Sequence, residues 1–158
     1  MKKIDIIQNE ALLKSAKENG FDEYDLASRL PMKKGGTLEA NRKIVDSRAK
    51  ILLDPVSAED RAFDTAVAQI AKDNDVAIAF SLKSLLDSSG LDRIRLLRNM
   101  RFAAAICAKM KNNIIIISNA SDDFELRDAL SLQAFGELIG LTPAQAKWAM
   151  SEAYEGFV

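Results

Sequence analysis

The chain has 158 residues, of which 48% are hydrophobic and 28% are charged, and its formal net charge is −1. This length and composition are typical of a globular protein with a real core, and we expect a single domain over residues 1–158. No apolar run approaches the roughly 18 residues of a membrane span, and the N-terminus lacks the apolar stretch of a signal peptide. We therefore expect a cytoplasmic protein without membrane contact.

The chain contains no histidine and a single cysteine, Cys107. The lack of histidine excludes histidine-based triads, imidazole metal sites and cysteine–histidine nucleophiles. One cysteine excludes an internal disulfide and suits a reducing compartment. Cys107 lies among the apolar positions of a predicted helix, so we interpret it as a core residue.

The first third of the chain predicts two strands separated by a helix. Residues 3–8 predict the first strand, and a helix follows between the N-cap Asn9 and the terminating Gly20. Residues 21–26 predict a short second strand. Residues 31–37 combine a proline, two lysines and a glycine pair, which predicts a loop that is either a flexible connection or a phosphate contact.

The middle of the chain continues the alternation. Residues 38–45 predict a short helix running into a strand, residues 50–53 predict a buried strand, and Ser57 predicts the cap of the next helix. Further strands are predicted over residues 76–80 and 113–118. The second of these holds four consecutive isoleucines, a run that needs cover on both faces, as in a parallel sheet under helices.

The last third predicts two helices with recognisable start signals. Asp122 and Glu125 have the spacing of a capping box, and a helix is predicted over residues 129–139. Thr142 to Gln145 is a second capping box with Pro143 at the first helical position, and the helix that it starts is predicted to run to about Tyr154. We interpret Trp148 as a packing residue. The alternation predicts an α/β protein with a mainly parallel sheet of five or six strands.

The most informative stretch is a long helical pattern after the Ser88-Ser89-Gly90 break. The residues that share its apolar face are Leu96, Met100, Ala103 and Cys107. The residues that form a basic stripe on the opposite face are Arg95, Arg98, Arg101 and Lys109. Residues 92–111 contain six Lys or Arg and one Asp, a local charge of +5, so the remaining chain carries −6. Most such stripes are solvated faces, but arginines without interleaved glutamates favour phosphate binding.

Spaced residues across the second half of the chain resemble the ribonuclease P p30 family of archaea and eukaryotes. The residues that carry this resemblance are Leu85, Leu86, Ser88, Ser89, Gly90, Arg93, Arg95, Leu96, Leu97, Asn99, Arg101, Ser118, Ala120, Ser121, Leu126, Arg127, Leu138, Gly140 and Leu141. The resemblance covers roughly residues 41–153. It implies a TIM-barrel-like fold, shortened or incomplete here because a complete barrel has eight strands.

The resemblance also implies a function. It predicts a protein subunit of ribonuclease P, the ribonucleoprotein that removes the 5′ leader of precursor tRNA. The RNA subunit would perform the hydrolysis with its own Mg²⁺, so we expect no cofactor on the protein and no activity of the isolated chain. The implied partners are ribonuclease P RNA, precursor tRNA and a small RRM-like subunit, assembled as a heterotetramer.

Candidate RNA-binding residues follow from the basic stripe and from its flanks. The stripe residues that we expect to contact phosphates are Arg95, Arg98, Arg101 and Lys109. Ser88, Ser89 and Gly90 either offer backbone N–H groups to a phosphate or only cap the helix. Arg93 either joins them or pairs with a carboxylate or a loop carbonyl, and Arg127 extends the surface.

Two other functions stay open on the sequence. One is a small α/β barrel hydrolase that holds Mg²⁺ with the strand-end carboxylates of Asp5, Asp25 and Asp54, although each has the alternative role of a cap or turn residue. The other is a scaffold whose basic helix docks an acidic partner protein. The chain also departs from the family in a shorter N-terminal portion, in Ser118-Asn119-Ala120, and in the residues after Leu126-Arg127.

Overall fold

A computed structural model describes residues 2–154 of the chain. Within that range, short 3-10 helices accompany six strands and six α-helices. The strands are β1 Ile4–Ile7, β2 Glu23–Leu26, β3 Met32–Lys34, β4 Ile51–Leu53, β5 Ala77–Ser81 and β6 Ile114–Ile117. The helices are α1 Leu38–Val45, α2 Thr65–Asp73, α3 Leu82–Leu86, α4 Gly90–Met110, α5 Ala129–Leu138 and α6 Pro143–Ala149.

The strands form two parallel ladders. One ladder pairs β1 with β2, and the other has the order β3-β4-β5-β6. The two ladders meet just beyond β6, where the Asn119 N–H donates to the Ile6 carbonyl at 2.9 Å and the Gln8 N–H donates to the Ala120 carbonyl at 2.8 Å. The prediction of an α/β protein with parallel strands is therefore confirmed.

The apolar side chains of the strands alternate between two separate clusters. Ile115 and Ile117 of β6 lie in the smaller cluster, whereas Ile116 lies in the larger one with the helices. The strand residues of the smaller cluster are Ile4, Ile6, Ile51, Leu53, Ala77, Ala79, Ile115 and Ile117. The isoleucine run is thus covered on both faces, as predicted, because successive side chains of a strand point to opposite sides.

The last described residues of the chain cover the end of the sheet at which the strands begin. The Ile4 N–H donates to the Met150 carbonyl at 2.9 Å, and the Asn113 amide donates to the Ala153 carbonyl at 3.0 Å. The Tyr154 ring is buried in the smaller cluster, and its hydroxyl donates to the Ile116 carbonyl at 3.1 Å. The last helix is shorter than predicted, since α6 ends at Ala149 and a 3-10 turn covers Glu152–Tyr154.

The region between β1 and β2 follows the predicted boundaries with a different helix type. Asn9 caps it by accepting from the Ala11 N–H at 3.0 Å, and Gly20 ends it with φ of 78°. The segments Glu10–Ser15 and Lys17–Asn19 are 3-10 helices rather than one α-helix. The tight 3-10 geometry suits such short pieces.

The predicted loop over residues 31–37 is wrong in its first half. Met32–Lys34 forms β3, whose backbone pairs with Ile51–Leu53 of β4. The two lysines made this strand difficult to predict from the sequence. They are tolerated because β3 lies at the end of its ladder, where their side chains are exposed. The helix α1 follows as predicted, but no strand continues from it.

The predicted helix start at Ser57 is also wrong. The Ser57 hydroxyl accepts from the Asp60 N–H at 3.0 Å within an irregular loop, and α2 begins only after Asp64, which accepts from the Val67 N–H at 2.8 Å. Asn41 fixes the backbone of this loop, since its amide donates to the carbonyls of Pro55 and Ala62, each at 2.7 Å. Ala62 has φ of 50°, which no helix accommodates.

The two start signals of the last third have different outcomes. Thr142 and Gln145 form the predicted capping box at α6, with both reciprocal bonds present. Asp122 does accept from the Glu125 N–H at 3.0 Å, but no helix starts there, and α5 is capped instead by Asp128. Trp148 is 49% exposed, so its interpretation as a packing residue holds for only half of its surface.

Candidate nucleic-acid interface

Helix α4 presents the predicted basic stripe. Its 21 residues connect β5 and α3 to β6, and its buried face carries Leu96, Met100, Ala103 and Cys107. The exposed residues of the stripe are Arg95, Arg98, Arg101 and Lys109. The amphipathic interpretation of this segment is confirmed, and burial raises the pKa of the Cys107 thiol, which remains protonated in the core.

The stripe side chains have few internal partners. Arg95 lies 3.6 Å from the Asp92 carboxylate, and both side chains are more than half exposed, so the pair is weak. Arg101 donates to the Leu138 carbonyl of α5 at 3.4 Å. Among residues 2–154, neither Arg98 nor Lys109 is part of an ion pair. A phosphate can therefore approach these cations without displacing a strong intramolecular contact.

The residues before α4 form a compact junction that Arg93 holds together. Its guanidinium donates to the carbonyls of Leu85 and Ser88 through Nε, at 3.1 and 2.9 Å, and to the Leu86 carbonyl through Nη2 at 3.3 Å. These carbonyls belong to the last residues of α3 and to the turn that follows it, where the helix has no further N–H groups to offer them. Of the interactions considered for Arg93 on the sequence, the structure contains the one with loop carbonyls.

The Ser88-Ser89-Gly90 segment forms the turn between α3 and α4. The Ser88 hydroxyl donates to the Leu85 carbonyl at 2.8 Å, and Gly90 has φ of 55°, a conformation that favours glycine. Ser89 occupies the N-cap position, yet its side chain accepts no hydrogen bond from the helix. The first-turn N–H groups of α4 are consequently not capped by this side chain.

A buried carboxylate fixes the start of α3. Asp54 follows β4 and accepts from both the N–H and the hydroxyl of Ser81, at 2.8 and 2.7 Å. Ser81 in turn caps α3 by accepting from the Ser84 N–H at 3.3 Å. Burial raises the pKa of Asp54, although the bonds from Ser81 oppose that effect. Asp54 thus sets the position of α3, to which Arg93 ties α4.

Asp5 repeats this arrangement between β1 and the end of β6. Its carboxylate accepts from the N–H of Ser118 at 2.7 Å and also from the Ser118 hydroxyl. Burial raises the pKa of Asp5 to about 6 against the effect of these bonds. Asp25 is only partly buried and accepts from the Leu26 N–H at 2.8 Å. Among the described residues, no three acidic or cysteine side chains are grouped so that they could hold a metal ion.

The segment between β6 and α5 is held by an ion pair and by arginine. Lys83 of α3 donates to the Glu125 carboxylate at 2.5 Å, and the Ser121 N–H and hydroxyl donate to the same group at 2.8 and 2.9 Å. Although burial opposes it, these bonds lower the pKa of Glu125. Arg127 donates to the carbonyls of Phe124 and Leu126, each at 2.7 Å.

Several large apolar side chains are exposed, which the sequence interpretation did not predict. Leu91 and Ile94 of α4 are 68% and 64% exposed, and Phe124 and Leu130 near α5 are 89% and 75% exposed. Leu91 and Ile94 lie outside the apolar face on the helical wheel, a signal that was available from the sequence. Phe124 carried no such signal, because its exposure depends on how the loop is anchored.

No helix among the described residues has the length and apolar character required to cross a membrane.

The chain matches the family described as RNase P subunit p30 over residues 7–157. It is 31% identical over 125 residues to the ribonuclease P protein component 3 of Methanosarcina barkeri, a match that covers 78% of this chain and 52% of that protein. The corresponding protein of Methanocaldococcus jannaschii is 29% identical over 123 residues, with 77% and 53% covered. The chain thus spans about half the length of these curated relatives.

A solved structure provides a comparison of the fold. A chain in the cryo-EM structure of archaeal ribonuclease P with mature tRNA superposes with a TM-score of 0.70 at 25% identity, covering 96% of this chain and 64% of that chain. The family match extends over nearly the whole sequence, the curated relatives share the sequence, and the solved chain shares the fold. The chain therefore belongs to the RNase P subunit p30 family.

Proposed function

We propose that this chain is a protein subunit of ribonuclease P, which removes the 5′ leader of precursor tRNA, and that it acts by binding and stabilising the catalytic RNA. The observation that carries the proposal is the basic stripe of α4 in a chain of the p30 family. The arginines of the stripe are exposed, while the opposite face of the helix is packed in the core. Phosphate neutralisation by such side chains is the main source of protein–RNA affinity.

The stripe residues divide by what they already contact. Arg98 and Lys109 have no ion-pair partner among the described residues, and the contacts of Arg95 and Arg101 are long and exposed. These four are the proposed phosphate ligands. Arg93 is proposed to support this surface by holding the junction before α4, since its guanidinium group already donates to carbonyls. Arg127 likewise donates to carbonyls, and its proposed role is to hold the loop before α5.

The Ser88-Ser89-Gly90 turn is proposed as an additional backbone contact. Ser89 leaves the first N–H groups of α4 without a side-chain cap, and the N-terminal end of a helix attracts anions. Asp92 in the first turn opposes this attraction. We therefore assign the turn a smaller contribution than the arginines, and we assign no cofactor to the protein itself.

We propose that the six strands form a shortened barrel. The strand order β2-β1-β6-β5-β4-β3 brings the first and last strands of the sequence side by side, as the closure of a barrel does. The smaller apolar cluster, drawn from alternate residues of β1, β4, β5 and β6, has the composition of a barrel interior. Such a frame would place the starts of α3, α4 and α5 at one end.

The chemistry is assigned to the RNA subunit with its own Mg²⁺, and we expect the isolated chain to be inactive. The proposed partners are ribonuclease P RNA, precursor tRNA and a small RRM-like protein subunit, with which the chain would form a heterotetramer. A cytoplasmic location is proposed, because a single cysteine suits a reducing compartment. The scaffold alternative, in which the basic helix docks an acidic protein, predicts instead that RNA binding is absent.

Reconstitution tests the proposal. Cleavage of precursor tRNA would be measured with ribonuclease P RNA and the other protein subunits, with and without this chain, over a range of Mg²⁺ concentrations. We expect the chain to lower the Mg²⁺ concentration required for half-maximal cleavage. When RNA is omitted, the chain should cleave no precursor tRNA. Cleavage by the protein alone would refute the assignment of the chemistry to RNA, and no effect on the assembled particle would refute the proposed role.

A further inference from the structure

The loop between β6 and α5 displays an aromatic side chain on a rigid support. Phe124 is 89% exposed, although the residues on both sides of it are anchored. Glu125 is held by Lys83 and Ser121, and Arg127 donates to the Phe124 carbonyl itself at 2.7 Å. A loop that is already ordered loses little conformational entropy when its side chain is buried by a partner.

The support is tied to the centre of the fold. Asp5 fixes Ser118 at the start of the loop, and the Lys83 N–H donates to the Ser118 carbonyl at 3.1 Å. Asp128 closes the other end by accepting from the Ser131 N–H at 2.7 Å. The exposure of Phe124 is thus a property of a fixed backbone. A buried aromatic residue typically dominates the energy of an interface, and Phe124 is available for that role.

The charge around Phe124 identifies the kind of partner. Asp122, Asp123 and Asp128 are exposed carboxylates within four residues of it. The one nearby arginine, Arg127, is directed at loop carbonyls. This local excess of negative charge repels phosphates, so the loop is a poor surface for RNA, in contrast to the basic stripe of α4.

We propose that Phe124 is the anchor of a docking site for a basic protein subunit of the same particle, which receives the ring in an apolar socket rimmed by Lys or Arg. Leu130, at the start of α5, is a second exposed apolar side chain close to Phe124 in the sequence, with 75% of its surface exposed. This inference rests on the proposed function, because it assigns to the chain one surface for RNA and a second for protein. The acidic rim would steer association and set its orientation.

The test measures binding of the purified RRM-like subunit and, separately, of ribonuclease P RNA to the full chain. Phe124→Ser should weaken binding of the protein subunit by at least about tenfold, as expected for an interface anchor, and leave RNA affinity unchanged. Trp148→Ser is the matched control, since Trp148 is also an exposed aromatic residue but lies beside Lys111 and Ile114, at the start of β6. Asp123→Lys should weaken the same binding and reduce its dependence on salt.

Three results would overturn the inference. They are the absence of binding between the wild-type chain and the subunit, equal binding by Phe124→Ser and the wild type, and loss of RNA affinity in Phe124→Ser, which would make the ring a base-stacking platform. Circular dichroism of each variant separates these results from misfolding. Failure of the proposed function is distinguishable, because a chain that docks the subunit through Phe124 but does not assist cleavage would contradict that proposal alone.

Discussion

Asp5 and Ser118 are 113 residues apart in the sequence, and the Asp5 carboxylate accepts hydrogen bonds from both the N–H and the hydroxyl of Ser118. Asp54 and Ser81 repeat the arrangement one strand pair away. In both pairs a buried aspartate fixes a serine at the carboxyl end of a neighbouring strand. These pairs set where the loop before α5 and the start of α3 emerge from the sheet.

The first prediction concerns the pH dependence of stability. Burial raises the pKa of Asp5 to about 6 in the folded chain, above the value of about 3.9 expected when unfolded. The folded state therefore binds more protons between these values, and the contribution of Asp5 to stability is fully present below pH 4 and is lost as pH rises through 6. The difference is on the order of 3 kcal/mol.

Asp5→Asn isolates this contribution, because an amide keeps the shape and the bonding to Ser118 without the titration. Urea unfolding of both proteins at several pH values between 4 and 7.5 is the measurement. The wild type should lose stability relative to the variant as pH rises across this range. Parallel stability curves would show that Asp5 does not titrate differently in the folded state.

The second prediction concerns the amide of Asn41. Its Oδ1 accepts from the Gly36 N–H at 3.1 Å, and its Nδ2 donates to the carbonyls of Pro55 and Ala62. Asn41→Ala leaves these buried groups unpaired and should reduce the free energy of unfolding by about 3 kcal/mol. Asn74→Ala, which removes a single bond to the Val45 carbonyl, is the control and should cost about 1 kcal/mol. Equal losses in denaturant titrations would contradict this account.

The third prediction concerns β6. Ile116 is fully buried between the strands and the helices, so Ile116→Asp places an unpaired charge in an apolar core, at a cost of several kcal/mol. We expect this variant to be unfolded by circular dichroism. Ile94→Asp makes the same change at a 64% exposed position and should remain folded. A soluble, folded Ile116→Asp protein would show that the strand is not buried.

The fourth prediction concerns the basic stripe. Replacement of Arg95, Arg98 and Arg101 by alanine should leave the chain folded, because the buried face of α4 is unchanged. The slope of log K against log salt for binding to ribonuclease P RNA should flatten by about 0.7 to 0.9 for each lost phosphate contact. Sequence preference should not change, since phosphate contacts carry no base information. Unchanged affinity and slope would identify the stripe as a solvated face.

The fifth prediction concerns the junction between α3 and α4. Arg93→Lys keeps the charge but loses the planar fork that spans three carbonyls. We expect faster hydrogen exchange of the amides in residues 85–92 and a loss of RNA affinity close to that of Arg93→Ala. If Arg93→Lys instead binds RNA as the wild type does, Arg93 acts through its charge rather than by holding the junction.

Sequence periodicity alone determined the secondary structure and the buried face of those parts of the protein in which each residue follows its local pattern. The isoleucines of β6, the two faces of α4 and the Thr142–Gln145 capping box were predictable, because burial at regular spacing and caps at fixed offsets are local rules. The family resemblance was readable in the same stretch, and the chain does belong to that family. The arginine stripe followed from spacing without any knowledge of the neighbouring helices.

Tertiary structure decided the features that depend on distant partners. Residues 57–64 have helical composition. The Asn41 amide nevertheless donates to the carbonyls of Pro55, just before this stretch, and of Ala62 within it, so the backbone is held in a loop and no helix forms there. Glu125 has the spacing of a capping residue, yet its carboxylate is bonded by Lys83 of another helix, and no helix starts beside it. Asp5 and Asp54 read as strand-end carboxylates, whereas their serine partners make them structural. A long-range hydrogen bond in a buried setting overrides a local preference, because leaving its groups unpaired costs more free energy than a short helix gains.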